Sequence, residues 1–359
     1  MRSSSSSITF LALNLALVAC QNHSSGWAAK NFKTLVTFGD SYTDESRLSY
    51  FSSHNGSAPP VGWTQPVSYN TASGGRSWPR YASIYNDATL YNYAVSGAVC
   101  SNDISPRTFA SINAPFPDIA NYELPAFIAD SKYTSANGTK FFSGTPSDTA
   151  YAIWIGTNDL GNDAFLTDSQ VSGKTLVDYL DCVYNTITGL YNNGGRYFVL
   201  LNLAPLQLLP QYATPANGGQ NATRYFPTKT AYNATEISWR MYEAVATVND
   251  VYRYRTPFEA LVNRTWPGAK IANFDVNALI TDIWEHPASY LNGTAPLNTE
   301  GWINHCSLDG AHCVPVADGT ARDSYLWFDE LHPSEQTDRV VAREFVGVLD
   351  GSSKWAEYW

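Results

Sequence analysis

Residues 34–44 read TLVTFGDSYTD, and this stretch decides the fold. Five β-prone residues, 34–38, run without a charge into Gly39-Asp40-Ser41. A near-continuous apolar run of that length is expected of a strand covered on both faces, as in a parallel sheet. The glycine then permits a sharp turn, which exposes the hydroxyl of Ser41 at a helix start. In open α/β sheets, function sits on loops beyond the carboxyl ends of the strands.

Working outward, four further runs share this character. Residues 90–95 (LYNYAV) end at Ser96-Gly97, and residues 149–155 (TAYAIWI) end at Gly156-Thr157-Asn158-Asp159. Residues 196–201 (RYFVLL) lead into Asn202, and residues 270–274 end at Asp275. Helical patterns lie between and after them, at 176–191, 231–254 and 333–349. The first of these carries an apolar stripe of Leu176, Val177, Leu180, Val183, Tyr184 and Ile187. Strand–helix alternation predicts an α/β fold with a mostly parallel sheet. Two excursions rich in Ser, Gly, Pro and Asn, at 44–79 and 205–228, interrupt the pattern without dividing it. The expectation is one domain over 21–359, decorated by long loops, with the first excursion draped near the site.

The chain has 359 residues, with 22 Lys plus Arg against 32 Asp plus Glu, a net charge of −10. That balance argues against nucleic acid or an anionic membrane as partner. Charged residues are only 15% and hydrophobic ones 44%, which argues against disorder. Near the N-terminus an apolar stretch, 8–19, has the length of a signal-peptide core and is too short to span a bilayer. A signal peptide over 1–20 is expected. A buried first helix, or a lipoprotein acylated at Cys20, are the alternatives.

Without Cys20 four cysteines remain, Cys100, Cys182, Cys306 and Cys313, an even number suited to an oxidising compartment. Three pairings are open. The spacing of Cys306 and Cys313 in a loop-like segment favours a local bridge, which leaves Cys100 with Cys182. His305-Cys306 and His312-Cys313 lack a usual zinc-ligand spacing, so no metal is expected. Asn-x-Ser/Thr sites stand at Asn22, Asn55, Asn137, Asn221, Asn233, Asn263 and Asn292. Together these features predict a secreted, extracellular glycoprotein.

Serine hydrolysis needs a hydroxyl nucleophile, a histidine base, a group that orients it, and donors for the oxyanion. The Gly-x-Ser-x-Gly elbow is absent, which argues against an α/β-hydrolase. Ser41 is the candidate nucleophile. Of six histidines, His23 lies beside the leader. His54, His286, His305 and His312 show no obvious carboxylate partner. His332 follows Asp329 by three residues, so one turn brings the carboxylate to Nδ1 and leaves Nε2 for a serine. Asp40 is read as a brace for the serine loop or a cap of the helix that follows, and Asp159 as a cap of the next helix.

Taken together, FGDSYTD at 38–44, NYAVSGA at 92–98, GTND at 156–159 and DELH at 329–332 resemble the four blocks of the GDSL, or SGNH, hydrolases. They occur in that family's order, with Tyr42 where many members have leucine. The resemblance implies a three-layer α/β/α sandwich, flavodoxin-like, with a mostly parallel five-stranded sheet. It also implies Ser41 as nucleophile, His332 as base and Asp329 as its orienting acid. Oxyanion donors would be Ser41 N–H, Gly97 N–H and the Asn158 amide. No cofactor is implied.

The long Ser/Trp-rich insertion and the DELHPS ending resemble fungal secreted acetylesterases of carbohydrate esterase family sixteen. That resemblance implies removal of acetyl groups from hemicellulose fragments such as xylo-oligosaccharides. A small acetylated saccharide is then the only partner, and the chain is expected to be a monomer. Trp63, Trp78, Trp154, Trp302 and Trp327 are read as packing residues rather than sugar platforms. The alternatives are a lipase or phospholipid acylhydrolase of the same superfamily, and a non-catalytic carbohydrate-binding protein.

Overall fold

The computed structural model describes residues 25–110, 112 and 114–359. The expected leader, with Cys20, Asn22 and His23, lies outside the described residues.

All five predicted runs are strands of one sheet: β1 (Thr34–Gly39), β2 (Thr89–Asn92), β3 (Thr149–Trp154), β4 (Tyr197–Leu201) and β5 (Lys270–Phe274). They pair in parallel in the order β2-β1-β3-β4-β5. Every residue of β1 and β3 is buried, as their unbroken apolar character requires. The sheet has six strands rather than the expected five. A sixth, β6 (Ala356–Tyr358), pairs antiparallel with β5 at the edge. Three residues containing Glu357 give no apolar run to read, and an edge strand needs none. β2 also ends sooner than its apolar run, because Asn92 Oδ1 accepts the N–H of Ala94 and turns the chain.

Helices cover both faces. On one, α1 (Trp78–Tyr85) packs against α5 (Glu335–Leu349), with α4 (Val276–Glu285) beside it. On the other lie α2 (Leu176–Asn192) and α3 (Ala234–Pro257), joined by hydrogen bonds between the hydroxyls of Tyr179 and Tyr252 and between those of Tyr184 and Thr256, each 2.9 Å. Local chemistry sets the helix starts. Thr175 and Asp178 form a capping box at α2. Asn233 accepts from the N–H of Thr235 and Glu236, so α3 begins just past it rather than at 231. Ser334 caps α5 two residues after His332.

Both expected disulfides are present. Cys306–Cys313 closes a short antiparallel ladder, and Cys100–Cys182 ties the loop after β2 to α2. The chain runs from β1 outward to β2 and returns across to β3. That reversal opens a crevice at the carboxyl ends of β1 and β3, where α/β sheets bind ligands. Among the described residues no helix is long and apolar enough to cross a membrane.

Candidate active site

Gly39 ends β1 with φ of +149°, and a side chain there would strike the carbonyl of Trp154 on β3. Only glycine fits, and the turn that follows sets Ser41 at the crevice. Asp40 braces that turn by accepting from the N–H of Tyr42 at 3.0 Å. Burial pushes its carboxyl up to about 6.

His332 reaches the same point from the far end of the chain. Its Nε2 lies 2.8 Å from Ser41 Oγ, and its Nδ1 lies 2.8 Å from Asp329 Oδ1. The fold-back inside one turn is complete, since Asp329 Oδ1 also accepts from the N–H of Leu331 and His332. With Nδ1 facing a carboxylate, that nitrogen carries the proton and Nε2 is free to accept from serine. Tyr42 and Tyr225 stand edge-on against the imidazole, with ring centroids 5.8 and 5.4 Å away. Tyr42 is also held by its hydroxyl, which donates to the Leu331 carbonyl at 2.8 Å. The position where a leucine is usual therefore carries a second tie between the serine and histidine loops.

Two partners of Asp329 were not foreseen. Its Oδ2 accepts from Arg224 at 2.6 Å and from the Tyr225 hydroxyl at 2.9 Å. Both come from the 205–228 excursion, which Lys229 staples by donating to the carbonyls of Gln211 and Gln220. Burial pushes the Asp329 carboxyl up, but the charge and hydrogen bond of His332, with Arg224 and the Leu331 N–H, outweigh it and hold it down at about 2.

Gly97 follows β2 at φ +91°, with the Phe116 ring where a Cβ would point. Among the described residues, neither the Ser41 nor the Gly97 N–H has an acceptor. Both are left to a ligand. Asn158, after β3, donates from Nδ2 to the Ala98 carbonyl at 2.8 Å, which occupies one of its two hydrogens. Asp159 corrects its reading as a cap. It sits inside its short helix and accepts from the N–H of Cys100, which fixes the Gly97 loop. Burial pushes its carboxyl up to about 8.

The loops are bound to each other by buried acids that sequence reasoning passed over. Asp44 Oδ2 takes both the N–H and the hydroxyl of Ser96. Glu123, fully buried, accepts from Gly39 N–H at 2.9 Å and from Val95 N–H at 3.2 Å. Burial raises its carboxyl well above the ordinary range, against those two bonds. His286 also corrects the reading, because its Nδ1 meets Asp282 at 3.0 Å. His286 is exposed, and neither residue lines the pocket that holds Ser41.

These groups open into a pocket of about 320 Å³ whose wall includes Leu48, Arg107, Phe116, Asn162, Gln211 and Tyr212. A larger groove of about 610 Å³ beside α3 contains no serine, cysteine or histidine. Of these two, the smaller pocket holds a serine hydroxyl beside an imidazole. Trp78, Trp154 and Trp327 are buried in the core, and no tryptophan lines this pocket.

The family model for GDSL-like lipase/acylhydrolase matches residues 35–345, a span that takes in every residue of this constellation. The chain belongs to the GDSL-like lipase/acylhydrolase family. Membership makes it a hydrolase of carboxylic esters. This GDSL chain is 44% identical over 331 residues to an acetylesterase of Hypocrea jecorina, covering 92% of each chain. It is 25% identical over 328 residues to an acetylesterase of Thermothelomyces thermophilus, covering 89% of each. A solved family two carbohydrate esterase from Clostridium thermocellum overlays on 62% of the GDSL chain and 64% of its own. Its TM-score is 0.27 at 13% identity, too distant to bear on function.

Proposed function

We propose that this chain is a secreted serine esterase that removes acetyl groups from acetylated carbohydrates, with Ser41, His332 and Asp329 as its triad. The observation that carries the reading is the continuous relay from Asp329 through His332 to Ser41 at the mouth of a small pocket. Ser41 Oγ attacks the acetyl carbonyl while its proton passes to His332 Nε2, and Asp329 stabilises the imidazolium. The oxyanion takes hydrogen bonds from the Ser41 and Gly97 N–H groups and from the second hydrogen of Asn158 Nδ2. Loss of one such donor typically costs ~10²–10³ in rate. Collapse re-forms the carbonyl and breaks its bond to the sugar oxygen, which takes the proton from His332 and leaves as a hydroxyl. Water then attacks the acetyl-serine with His332 as base, and acetate leaves.

Support for a short acyl group and a sugar comes from the small pocket and the polar side chains in its mixed wall, Asn162, Gln211 and Arg107. The similarity to two acetylesterases points the same way. The secreted reading draws on the two disulfides and on the six described sequon asparagines, all of them exposed. On this reading residues 1–20 are a leader, and 21–359 act as one domain and as a monomer.

The test is hydrolysis of 4-nitrophenyl esters from acetate to palmitate, with Ser41→Ala as control. A steep preference for acetate is expected, followed by release of acetate from acetylated xylo-oligosaccharides. A maximum at eight carbons or more would overturn the substrate in favour of a lipid ester. Turnover that survives Ser41→Ala would overturn the mechanism.

A further inference from the structure

Arg107 reaches into the pocket from the loop after Gly97, and it is an unusual resident. Its guanidinium is half-buried, donates at 3.1 Å to Asn158 Oδ1, and makes no ion pair among the described residues. Burial disfavours its charge, which it does not give up, and the carboxylates of Asp159, Asp163 and Asp40 act on it only from beyond ion-pair distance. Its backbone is held on both sides. Its N–H donates to Asn102 Oδ1 and its carbonyl accepts from Phe116 N–H, each at 2.9 Å. Asn102 in turn donates to the Phe116 carbonyl and to Asp118. The loop is built to deliver this one cation to this one amide.

The amide needs such a partner. An asparagine turned over presents its oxygen where its nitrogen was, and an oxygen there repels an oxyanion. The Ala98 carbonyl holds one hydrogen of Nδ2, and a donor on Oδ1 fixes the opposite end. Arg is suited to this because its planar fork keeps a donor directed while the charge polarises the amide. We propose that Arg107 is a positioning residue for the oxyanion site, locking the Asn158 amide with its nitrogen toward Ser41 and strengthening it as a donor. This rests on the esterase reading above.

The experiment compares parent, Arg107→Met, Arg107→Lys, Asn158→Ala and the Arg107→Met/Asn158→Ala double variant. The substrate is 4-nitrophenyl acetate, which has no sugar to bind, and Ser41→Ala is run alongside. Arg107→Met is expected to lower kcat by about 10- to 100-fold with KM moved less than about threefold. Arg107→Lys recovers part of the loss. In the Asn158→Ala background the same Met substitution costs less than about threefold, because groups acting through one another are not additive. An unchanged kcat in Arg107→Met, or an equal loss in both backgrounds, overturns the proposal while the esterase reading stands. A loss confined to melting temperature does the same. Turnover that persists in Ser41→Ala instead brings down the reading beneath it. Should Arg107→Met fail to fold, the Lys variant in the two Asn158 backgrounds supplies the same cycle.

Discussion

Glu123 makes the most demanding test of how the site is held. It has no place in the chemistry, yet it joins the residue two before the nucleophile to the residue two before Gly97. Its two bonds are unequal. Val95 N–H also reaches the Gly39 carbonyl at 3.1 Å, whereas Gly39 N–H has the carboxylate alone. Glu123→Ala therefore orphans one buried donor, at about 1–3 kcal/mol. It also removes one buried methylene, at about 0.8 kcal/mol. The sum is a loss of about 2–4 kcal/mol, read as a fall of roughly 3–6 °C in Tm. The loosened Gly39 turn should misplace Ser41 and lower kcat on 4-nitrophenyl acetate by about 10- to 100-fold. Glu123→Gln keeps one acceptor and resembles the protonated acid that burial favours, so it should cost less than ~1 kcal/mol. Thermal melts and initial rates on both variants measure this. An Ala variant with parental Tm and kcat would show that the two loops need no brace.

Asp329→Asn should lower turnover by about 10⁴, short of the ~10⁶ expected for Ser41→Ala, because the amide cannot hold the correct imidazole tautomer. Initial rates measure the gap, and circular dichroism should show both variants folded. Stability should fall as pH rises from about 4 to about 8. Asp40 and Asp159 are raised by burial to about 6 and about 8, so in that window the folded chain holds protons that the unfolded chain has released. Asp329 works in the opposite sense and only in acid, where its contribution is lost as pH falls from about 4 through about 2. Melts across pH 4–9 should flatten in Asp159→Asn, and a flat parental profile would refute the assignment. Replacing Cys100 and Cys182 by alanine should destabilise by about 4–5 kcal/mol, from closure of a loop of 82 residues. A denaturant midpoint that does not move would refute it.

The five parallel strands and the Asp329–His332 pair were legible because each rests on local chemistry, whereas the pairing of His332 with Ser41 came from the resemblance of the four blocks. An unbroken apolar run announces a buried strand, and Asp329 finds His332 within one turn. The pieces that escaped depend on distance. Glu123 lies in NYELPAF, with no turn or cap to mark it, and its acceptors become visible only when β1 and β2 lie side by side. Arg224 and Tyr225 sit in a polar loop that resembles any other until Lys229 folds it over Asp329. Asp159 stands where a cap belongs, yet the backbone of Cys100 claims it. β6 is too short for any pattern and exists because β5 offers an unpaired edge.

Ser41 and His332 are 291 residues apart, and on the proposed mechanism activity begins only when their hydrogen bond forms. All five parallel strands end by Phe274, so the strand that presents Ser41 is synthesised well before the histidine that meets it. During synthesis the growing chain would carry a formed but idle serine, harmless to any ester it meets. Recovery of turnover on refolding would likewise trail recovery of sheet signal, making hydrolysis a clock for the final docking of the C-terminal helix. A cut between β5 and residue 329 that let the tail drift would part His332 from Ser41 and, with the same loss, strip α5 and β6 from the sheet.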